Sequence, residues 1–409
     1  MLNVRLLVVS SDTYPPTRVD VSVLFGVELA GRGHQIDVIM QSEAACRHAF
    51  RTRWAGGQAW VGATDLGSSL YRRLRKHALG IANDCRMFSL LRHRRYDAVE
   101  VKDKFLSGIF ALIAAKIFRI RFIYWLSYPF PEHYLLRADD VTARYRFFYR
   151  LRGLAFKAML YRWLLPAADH IFVQSEQMRQ DIAAEGISPD KMTAVPMGVG
   201  ADLCAVADLS DLRRLLPPGA PCVMYLGTLD KMRRLDFLLR AFGQVKAEMP
   251  AALLYLVGRA EHPEDEAFLR SEVDRLELAS SVIFVGYLPQ PLALQYVQEA
   301  NVCVSPFFPT PILQSTSPTK LVEYMAMGKP VVANDHPEQK RVIEESAAGI
   351  CVPWEEQTFA AAIVKLLTNP EAARLMGERG RRYVLEHRAY GVIADAVEKR
   401  MRDIVEGEA

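Results

Sequence analysis

The chain has 409 residues, of which 51% are hydrophobic and 24% are charged, and its formal net charge is +4. This length suggests two or three domains, and the composition allows a substantial core. The first residues show neither a signal-peptide pattern nor a run of about 20 apolar residues, which argues against export and against an early membrane span. We therefore expect a cytoplasmic protein.

The six cysteines form no Cys-x-x-Cys pair and have no histidine nearby at metal-ligand spacing. We expect reduced structural cysteines and no metal site. They are Cys46, Cys85, Cys204, Cys222, Cys303 and Cys351.

Charge is distributed unevenly along the chain. Residues 1–208 contain 28 Lys and Arg against 20 Asp and Glu, a net charge of +8, whereas residues 209–409 contain 23 against 27, a net charge of −4. We infer that the two halves face different partners.

The first half opens with a β-loop-α-β pattern. Val4–Ser10 is a continuous apolar strand, Tyr14–Arg18 a proline-containing loop, Val21–Arg32 a helix, and Gln35–Met40 a second strand. This order indicates a Rossmann-like sheet. The loop lacks Gly-x-Gly-x-x-Gly, so we do not expect a dinucleotide at this crossover.

Two more strands, Ala98–Val101 and Phe122–Leu126, flank an apolar helix at Leu106–Ile117, while residues 44–96 give no clear assignment. Open sheets bind ligands at the carboxyl ends of their strands. The candidate residues at these ends are Lys102, Asp103 and Ser127.

Residues Thr142–Leu165 predict one long helix in which arginines alternate with aromatic residues. Such a helix suits an anionic membrane surface, but it also suits a core helix whose arginines extend into water, and the sequence leaves both open. We find no nucleic-acid recognition motif and expect no nucleic-acid partner.

Residues 200–219 resemble an interdomain linker, and the strand-helix alternation then restarts. The strands end at a glycine or serine, which allows a row of close backbone approaches. The predicted strands are Cys222–Leu226, Ala252–Val257, Val282–Val285 and Asn301–Ser305, and the helices Leu235–Val245, Glu264–Leu276 and Pro291–Ala300 lie between them. The last helices are predicted at Gln357–Leu367, Pro370–Gly377 and Tyr383–Ile404.

The stretch Ser315–Asp335 is the strongest candidate site. Ser317 can cap a helix with Pro318 at its first position, and the free N–H groups, the helix dipole and Lys320 then converge on one point. This arrangement predicts an anion site that suits a diphosphate. Glu323, in the second turn, either accepts hydrogen bonds from hydroxyl groups of the ligand or is an ordinary solvated glutamate.

Five short motifs follow one another along the chain. They are Val195–Val199, Tyr225–Gly227 with Arg233 and Leu235, Leu256–Gly258, Phe284–Pro289 and Lys320–Ala333. In this order they resemble bacterial GT-B glycosyltransferases, specifically the retaining family 4 (glycosyl transferases group 1) of surface polysaccharide synthesis. The likeness covers nearly the whole chain.

The resemblance implies an α/β fold with two Rossmann-like β/α/β domains facing across a cleft. We expect an acceptor-binding domain at 1–199, a nucleotide-sugar-binding domain at 200–390 and a C-terminal helix at 391–409 that crosses back to the first domain. The implied reaction moves a hexose-type sugar from a nucleoside-diphosphate sugar, UDP or GDP, to a glycan or lipid-linked acceptor. It proceeds with retention and without a metal or other cofactor.

The resemblance also implies residue roles. Arg233, Lys320 and Glu323 form the catalytic set, in which Arg233, together with Lys231, neutralises the leaving phosphate and Glu323 holds the donor ribose. The remaining donor-binding residues are Gly227, Thr228, Lys231, Gly258, Tyr287, Leu288, Ser317, Thr319, Leu321 and Val322.

The chain departs from the family pattern at three places, one in the second half and two in the first domain. Ser315 stands where the family has a glutamate that touches the donor sugar. In the first domain, Thr17–Asp20 replaces the glycine pair, and a strand-end histidine is replaced near Ser127. The acceptor-side candidates, assigned by position alone, are Thr17, Arg18, Asp20, Asp103 and Ser127.

Three functions remain to be distinguished. The first is a glycosyltransferase, located in the cytoplasm or peripherally at the inner face of the cell membrane, as the basic first half would allow. The second is a catalytically silent GT-B scaffold or sugar-nucleotide-binding protein, which the departures at Ser315 and Ser127 suggest. The third is an NAD-dependent oxidoreductase, which the missing glycine fingerprint disfavours.

Overall fold

The computed structural model describes residues 3–67, 69–140, 145–201, 203, 216–217 and 219–407. The chain divides into two compact units, each with its own parallel sheet. The first unit contains Met1–Pro196 and Tyr390–Ala409, and the second contains Met197–Ala389. The prediction of an α/β fold with two Rossmann-like domains is confirmed.

The first unit is built on an eight-stranded sheet in the order β3-β4-β2-β1-β5-β6-β7-β8. All neighbouring pairs are parallel except the antiparallel hairpin of β3 and β4. Helices cover both faces, so the central strands are apolar runs buried on both sides. The strands are β1 (Arg5–Tyr14), β2 (Gln35–Ser42), β3 (Phe50–Trp54), β4 (Gly56–Gly62), β5 (Ala98–Lys102), β6 (Arg121–Leu126), β7 (His170–Val173) and β8 (Met192–Ala194).

Two stretches of the first unit had no secondary-structure prediction. Residues 44–96 contain the β3–β4 hairpin and two helices. The stretch after β6 contains a helix at Phe130–Asp139, with proline in its first turn. The helices are Asp20–Leu29, Leu70–Asp84, Arg86–His93, Phe105–Phe118, Phe130–Asp139, Arg146–Ala158, Met159–Leu164, Leu165–Ala167, Glu176–Ala184, Pro189–Lys191 and Tyr390–Glu406.

The long basic helix was predicted as one element and contains a π-helical segment. It runs as an α-helix over Arg146–Ala158, continues as a π-helix over Met159–Leu164 and ends in a short turn at Leu165–Ala167. The predicted start at 142–144 lies outside the described residues. No helix in the described ranges combines the length and apolar character needed to cross a bilayer.

The second unit is built on a six-stranded, all-parallel sheet in the order β11-β10-β9-β12-β13-β14. Each predicted strand agrees with an observed one to within a residue or two. The strands are β9 (Cys222–Leu226), β10 (Leu253–Val257), β11 (Val282–Gly286), β12 (Val302–Ser305), β13 (Val331–Asn334) and β14 (Gly349–Val352).

The helices of the second unit cover both faces of its sheet. The predicted helix Tyr383–Ile404 is wrong at its start. Residues 383–387 belong to the preceding helix, which ends at His387 with Arg388 as its C-cap. Most of the predicted linker, residues 202, 204–215 and 218, lies outside the described residues. The helices are Lys231–Arg233, Leu235–Glu248, Pro263–Arg275, Gln290–Glu299, Pro311–Gln314, Thr319–Ala326, Pro337–Ser346, Glu356–Thr368 and Pro370–His387.

Candidate active site

The candidate site of the second unit lies at the carboxyl end of β9, the strand between β10 and β12 in the sheet. Neighbouring strands there connect in opposite directions, which is where open α/β sheets bind ligands. Two glycines follow the strands, Gly227 with φ of 155° and Gly258 with φ of 140°. A Cβ at Gly227 would lie 1.9 Å from Lys320 Cε, and one at Gly258 would lie 1.9 Å from the Gly227 carbonyl oxygen. Only glycine allows these close approaches.

The helix Thr319–Ala326 brings its amino end to the same strand ends. Its fixed position depends on Tyr324, whose hydroxyl accepts a 2.7 Å hydrogen bond from the Leu226 N–H and donates to the Leu226 carbonyl oxygen at 3.3 Å. Leu321 and Val322 are buried, so only their backbone groups are available to a ligand. The orphan N–H groups of this helix start therefore remain next to Gly227.

The prediction that Ser317 caps this helix is wrong. Its hydroxyl instead accepts a 3.0 Å hydrogen bond from the Met197 N–H, and Pro318 stands at the N-cap without a side-chain cap bond. Ser317 thus fixes the loop before the helix and leaves the first N–H groups uncapped. Ser315, the residue that departs from the family pattern, is buried.

Two cations meet at one phenylalanine ring in this site. Lys320 Nζ lies 5.9 Å from the Phe307 ring centroid and 5.6 Å from the Tyr225 centroid, and Arg233 Cζ lies 5.4 Å from the Phe307 centroid. Arg233 Nε also donates to the Thr228 hydroxyl at 3.4 Å. Among the described residues, no carboxylate lies within salt-bridge distance of either cation, although Glu323 and Asp230 interact with the Lys320 charge at longer range. Both cations can therefore take up an anion.

The charged groups of Lys320 and Glu323 are perturbed in opposite directions. Each side chain keeps part of its surface exposed, but protein atoms surround its charged end. Burial, assisted by Arg233, lowers the pKa of Lys320 to about 7, and burial raises the pKa of Glu323 to about 7 against the attraction of Lys320. Such shifts are concentrated at functional sites.

A cavity of about 420 Å³ adjoins these groups. Tyr287 is 67% exposed at its rim, and the guanidinium of Arg259 lies 4.8 Å from the centroid of that ring. A flat ring held at a cavity rim can stack on a nucleobase. The cavity is lined by Leu226, Gly227, Thr228, Asp230, Val257, Gly258, Arg259, Ala260, Glu261, Tyr287 and Leu288.

Not every predicted donor residue reaches the cavity with its side chain. Lys231 is held through its backbone N–H, which donates to Asp265 at 3.0 Å. Thr319 is half-buried in the first turn of its helix. The structure thus brings together Arg233, Lys320 and Glu323 with the glycines and Thr228, while Ser317, Leu321 and Val322 serve the loop and the core.

The first unit holds a separate polar cluster at the ends of β1, β5 and β6. Lys102 Nζ lies 3.1 Å from an Asp12 oxygen, 3.3 Å from Asp20 and 3.8 Å from Asp103, and its side chain is 1% exposed. Arg18 donates two hydrogen bonds to Asp20, at 3.0 and 2.9 Å. The cluster is therefore largely satisfied from within.

Asp103 joins this cluster to Ser127. Its carboxylate accepts from the Ser127 N–H at 2.8 Å and from the Ser127 hydroxyl, and burial raises its pKa. Although burial opposes them, Lys102 and Arg18 lower the pKa of Asp20. Of the acceptor-side candidates, Arg18, Asp20, Asp103 and Ser127 lie together, and Thr17 is exposed beside them. No group of three His, Cys, Asp or Glu side chains that could hold a metal occurs in the described ranges.

Both units match one enzyme class by sequence. Residues 220–369 match the family described as glycosyl transferases group 1, and residues 24–198 match the glycosyl transferase 4-like domain. The chain therefore belongs to the GT-B glycosyltransferase family.

Curated relatives of this glycosyltransferase carry related names. A D-inositol 3-phosphate glycosyltransferase of Segniliparus rotundus is 28% identical over 215 residues, which cover 51% of this chain and 45% of that protein. A phosphatidyl-myo-inositol mannosyltransferase of Mycolicibacterium smegmatis is 29% identical over 180 residues, or 44% of each chain. The glycosyltransferase therefore spans about half the length of these relatives.

Solved structures share the fold over the whole chain. The sucrose-phosphate synthase of Thermosynechococcus elongatus aligns with a TM-score of 0.75 at 19% identity, covering 99% of this chain and 100% of that one. The Anabaena protein HepE in complex with UDP-glucose aligns with a TM-score of 0.68 at 14% identity, covering 97% and 99%.

Sequence reasoning missed three residues that position the site of this glycosyltransferase. Asn334 pairs with both backbone groups of Phe307, at 2.6 and 2.8 Å, and one His336 ring nitrogen lies 2.7 Å from the Leu313 carbonyl oxygen. Together with Tyr324 they hold the loops that carry Phe307 and the helix start. The only sequence signal for Asn334 is a polar residue at the end of an apolar strand, and this signal does not indicate which backbone groups the side chain binds.

Proposed function

We propose that this glycosyltransferase moves a hexose-type sugar from a nucleoside-diphosphate sugar, with UDP or GDP as the nucleotide, to a glycan or lipid-linked acceptor. One observation carries the proposal. Arg233 and Lys320, both without an ion-pair partner in the described part of the chain, converge beside an uncapped helix start and a glycine that Lys320 touches. This arrangement suits a diphosphate.

Each part of the donor then has a partner. The diphosphate lies at the backbone of Thr319–Val322, the ribose hydroxyls donate to Glu323, and the nucleobase lies between Tyr287 and Leu288. Arg233 and Lys320 stabilise the charge that develops on the leaving diphosphate as the sugar–phosphate bond breaks. Fixed cations can supply this stabilisation without a metal.

Retention follows from the resemblance to family 4 rather than from a residue of this chain. In that scheme the leaving phosphate helps to deprotonate the acceptor on the same face of the sugar, and no protein nucleophile is required. The names of the relatives, an inositol phosphate glycosyltransferase and a phosphatidylinositol mannosyltransferase, support a polyol or lipid headgroup acceptor. The complex of HepE with UDP-glucose supports a nucleotide-sugar donor.

Donor binding is tested by thermal unfolding of the full chain with UDP-, GDP- and ADP-sugars. A ligand that binds only the folded state at about 100 times its Kd stabilises it by about 2.7 kcal/mol. We expect one nucleotide class to raise the Tm of the wild type and to have little effect on Glu323→Gln. Glu386→Gln, the same change at an exposed position of the second unit, is the matched control and should respond like the wild type.

Two outcomes of this experiment are informative against the proposal. If no nucleotide sugar raises the Tm, the donor site is wrong. If a donor binds but extracts containing glycan and lipid-linked acceptors never accept its sugar, the chain is a sugar-nucleotide-binding scaffold instead.

Donor affinity should depend on pH in a bell shape with its maximum near 7. A rise through the lowered pKa of Lys320, about 7, removes the charge that attracts the diphosphate. A fall through the raised pKa of Glu323, also about 7, protonates the carboxylate that accepts from the ribose. On either side, affinity should fall by up to about tenfold for each pH unit, measured by calorimetry from about pH 5.5 to about pH 8.5.

Two variants distinguish the loss of donor affinity at acid pH from the loss at alkaline pH. Lys320→Arg keeps its charge at every pH and should remove the loss on the alkaline side. Glu323→Gln should bind more weakly and lose the acid limb. A wild-type affinity that is flat over this range contradicts the assignment of both groups to the donor.

A further inference from the structure

The first unit exposes an apolar helix face that its own fold does not use. In the helix Arg146–Ala158, Phe147 is 74% exposed, Phe148 67%, Leu151 56% and Leu154 54%. Helical spacing places these four residues on one side. We call them the aromatic face. Exposed apolar side chains in one contiguous patch mark an interaction surface rather than ordinary scatter.

The opposite side of the same helix packs against the rest of the first unit, so the helix does not need the aromatic face for its packing. Gly153 packs so closely on the helix Phe130–Asp139 that a Cβ there would lie 2.8 Å from Leu135 Cδ2. Phe156 stacks on Phe105 with centroids 4.4 Å apart. The helix is anchored by these contacts, so its outer side is free to serve another purpose.

Cations surround the aromatic face. Residues 145–164 contain no Asp or Glu and five cations, namely Arg146, Arg150, Arg152, Lys157 and Arg162. Two of them have acidic partners outside the helix. Arg150 lies 3.1 Å from Asp139, with both side chains about two-thirds exposed, and Lys157 lies 2.6 Å from Glu185. Exposed pairs of this kind are weak, so the surface remains positive.

A neighbouring helix extends this surface. Phe105–Phe118 packs on the same core as the basic helix, and it leaves Leu106 43%, Ile113 46% and Ile117 62% exposed. Lys116 is exposed beside Ile117. The two helices share one core cluster, and Phe105 of this helix stacks on Phe156 of the basic helix. Trp163, 61% exposed, follows the aromatic face along the chain.

We propose that the aromatic face and these neighbours dock the protein on the surface of an anionic phospholipid bilayer. Aromatic and aliphatic side chains enter the headgroup boundary while the flanking arginines contact lipid phosphates. A second copy of this chain fits less well, because a two-fold contact would set the five cations of one copy against those of the other. The inference does not depend on which sugar or acceptor the enzyme uses.

The test is sedimentation of the full chain with vesicles of phosphatidylcholine, with or without phosphatidylglycerol. We expect binding to the anionic vesicles, and at least about a tenfold loss in the triple variant Phe147→Ser, Phe148→Ser, Leu151→Ser. The matched control replaces three exposed apolar residues of the second unit, Phe268→Ser, Leu375→Ser and Leu385→Ser. The control should bind like the wild type, and thermal unfolding checks that both variants fold.

A second variant tests the electrostatic part of vesicle binding independently of the apolar residues. Arg150→Gln with Arg162→Gln should weaken binding about fivefold per charge, and salt raised from about 0.05 M to about 0.5 M should weaken wild-type binding too. The proposal is overturned if the wild type ignores anionic vesicles or if the triple variant binds them equally well. It is also overturned if the wild type is a dimer and the only effect of the triple variant is to make it a monomer. None of these results would affect the donor-binding experiment.

Discussion

Replacing Arg233 with glutamine is expected to lower kcat/KM for sugar transfer about 10²- to 10³-fold, the range found when one preorganised group that stabilises developing charge is removed. The guanidinium is fixed beside Phe307 and Thr228. Negative charge grows on the diphosphate as the sugar leaves, so the loss should fall mainly on kcat and less on KM. Steady-state kinetics with the donor identified by thermal unfolding measures both.

The adjacent arginine provides the control. Arg234 donates two hydrogen bonds to Asp236, both at 3.0 Å, so its charge is already used within the second unit. Arg234→Gln should therefore keep kcat within a few-fold of the wild type. If the two variants lose equal activity, Arg233 has no special role at the leaving group, and the assignment of this site is wrong.

Replacing Glu100 with glutamine is expected to stabilise the first unit by about 3 kcal/mol at pH 7. Glu100 is fully buried in the middle of β5, and no described residue hydrogen-bonds to either carboxylate oxygen. Burial raises the pKa of this carboxyl from 4.5 to about 8, although Lys102 opposes the shift. The folded protein must keep it protonated, which costs free energy at neutral pH.

The pH dependence of this effect has a defined sign. The folded pKa lies above the unfolded one, so wild-type stability falls as pH rises from about 4.5 to about 8. The advantage of Glu100→Gln should vanish below about pH 4.5 and grow to a plateau above about pH 8. Urea unfolding at several pH values measures it, with the exposed Glu43→Gln as control. A difference that does not change with pH would show that Glu100 is ionised when folded.

The second unit shows how much of the fold the sequence contains. Cys222–Leu226 was predicted with its observed bounds, because a short apolar run between a proline and a glycine leaves little choice but a buried strand. In the first unit the helix Phe130–Asp139 had no prediction. Its start lies among Pro129 and Pro131, and proline is tolerated in a first helical turn but is also common in loops, so the local signal does not decide between them.

The site was only partly predictable for a related reason. Lys320 and Glu323 lie on one helix, so their proximity follows from helical spacing, and Gly227 marks the end of a strand. The hydrogen bond of Ser317 to Met197 joins residues 120 positions apart, and no local pattern indicates such a partner. The same holds for the cluster around Lys102, where the carboxylates come from the end of β1, the start of the helix Asp20–Leu29 and the residue after β5.

A crystal structure of the full chain with UDP or GDP tests the central claim most directly. We predict a diphosphate within hydrogen-bond distance of the backbone N–H groups that begin the helix Thr319–Ala326, with Arg233 and Lys320 on its oxygens and the ribose hydroxyls on Glu323. A nucleotide bound anywhere else, or bound at the ends of β9 and β10 without contact to these three side chains, would contradict it.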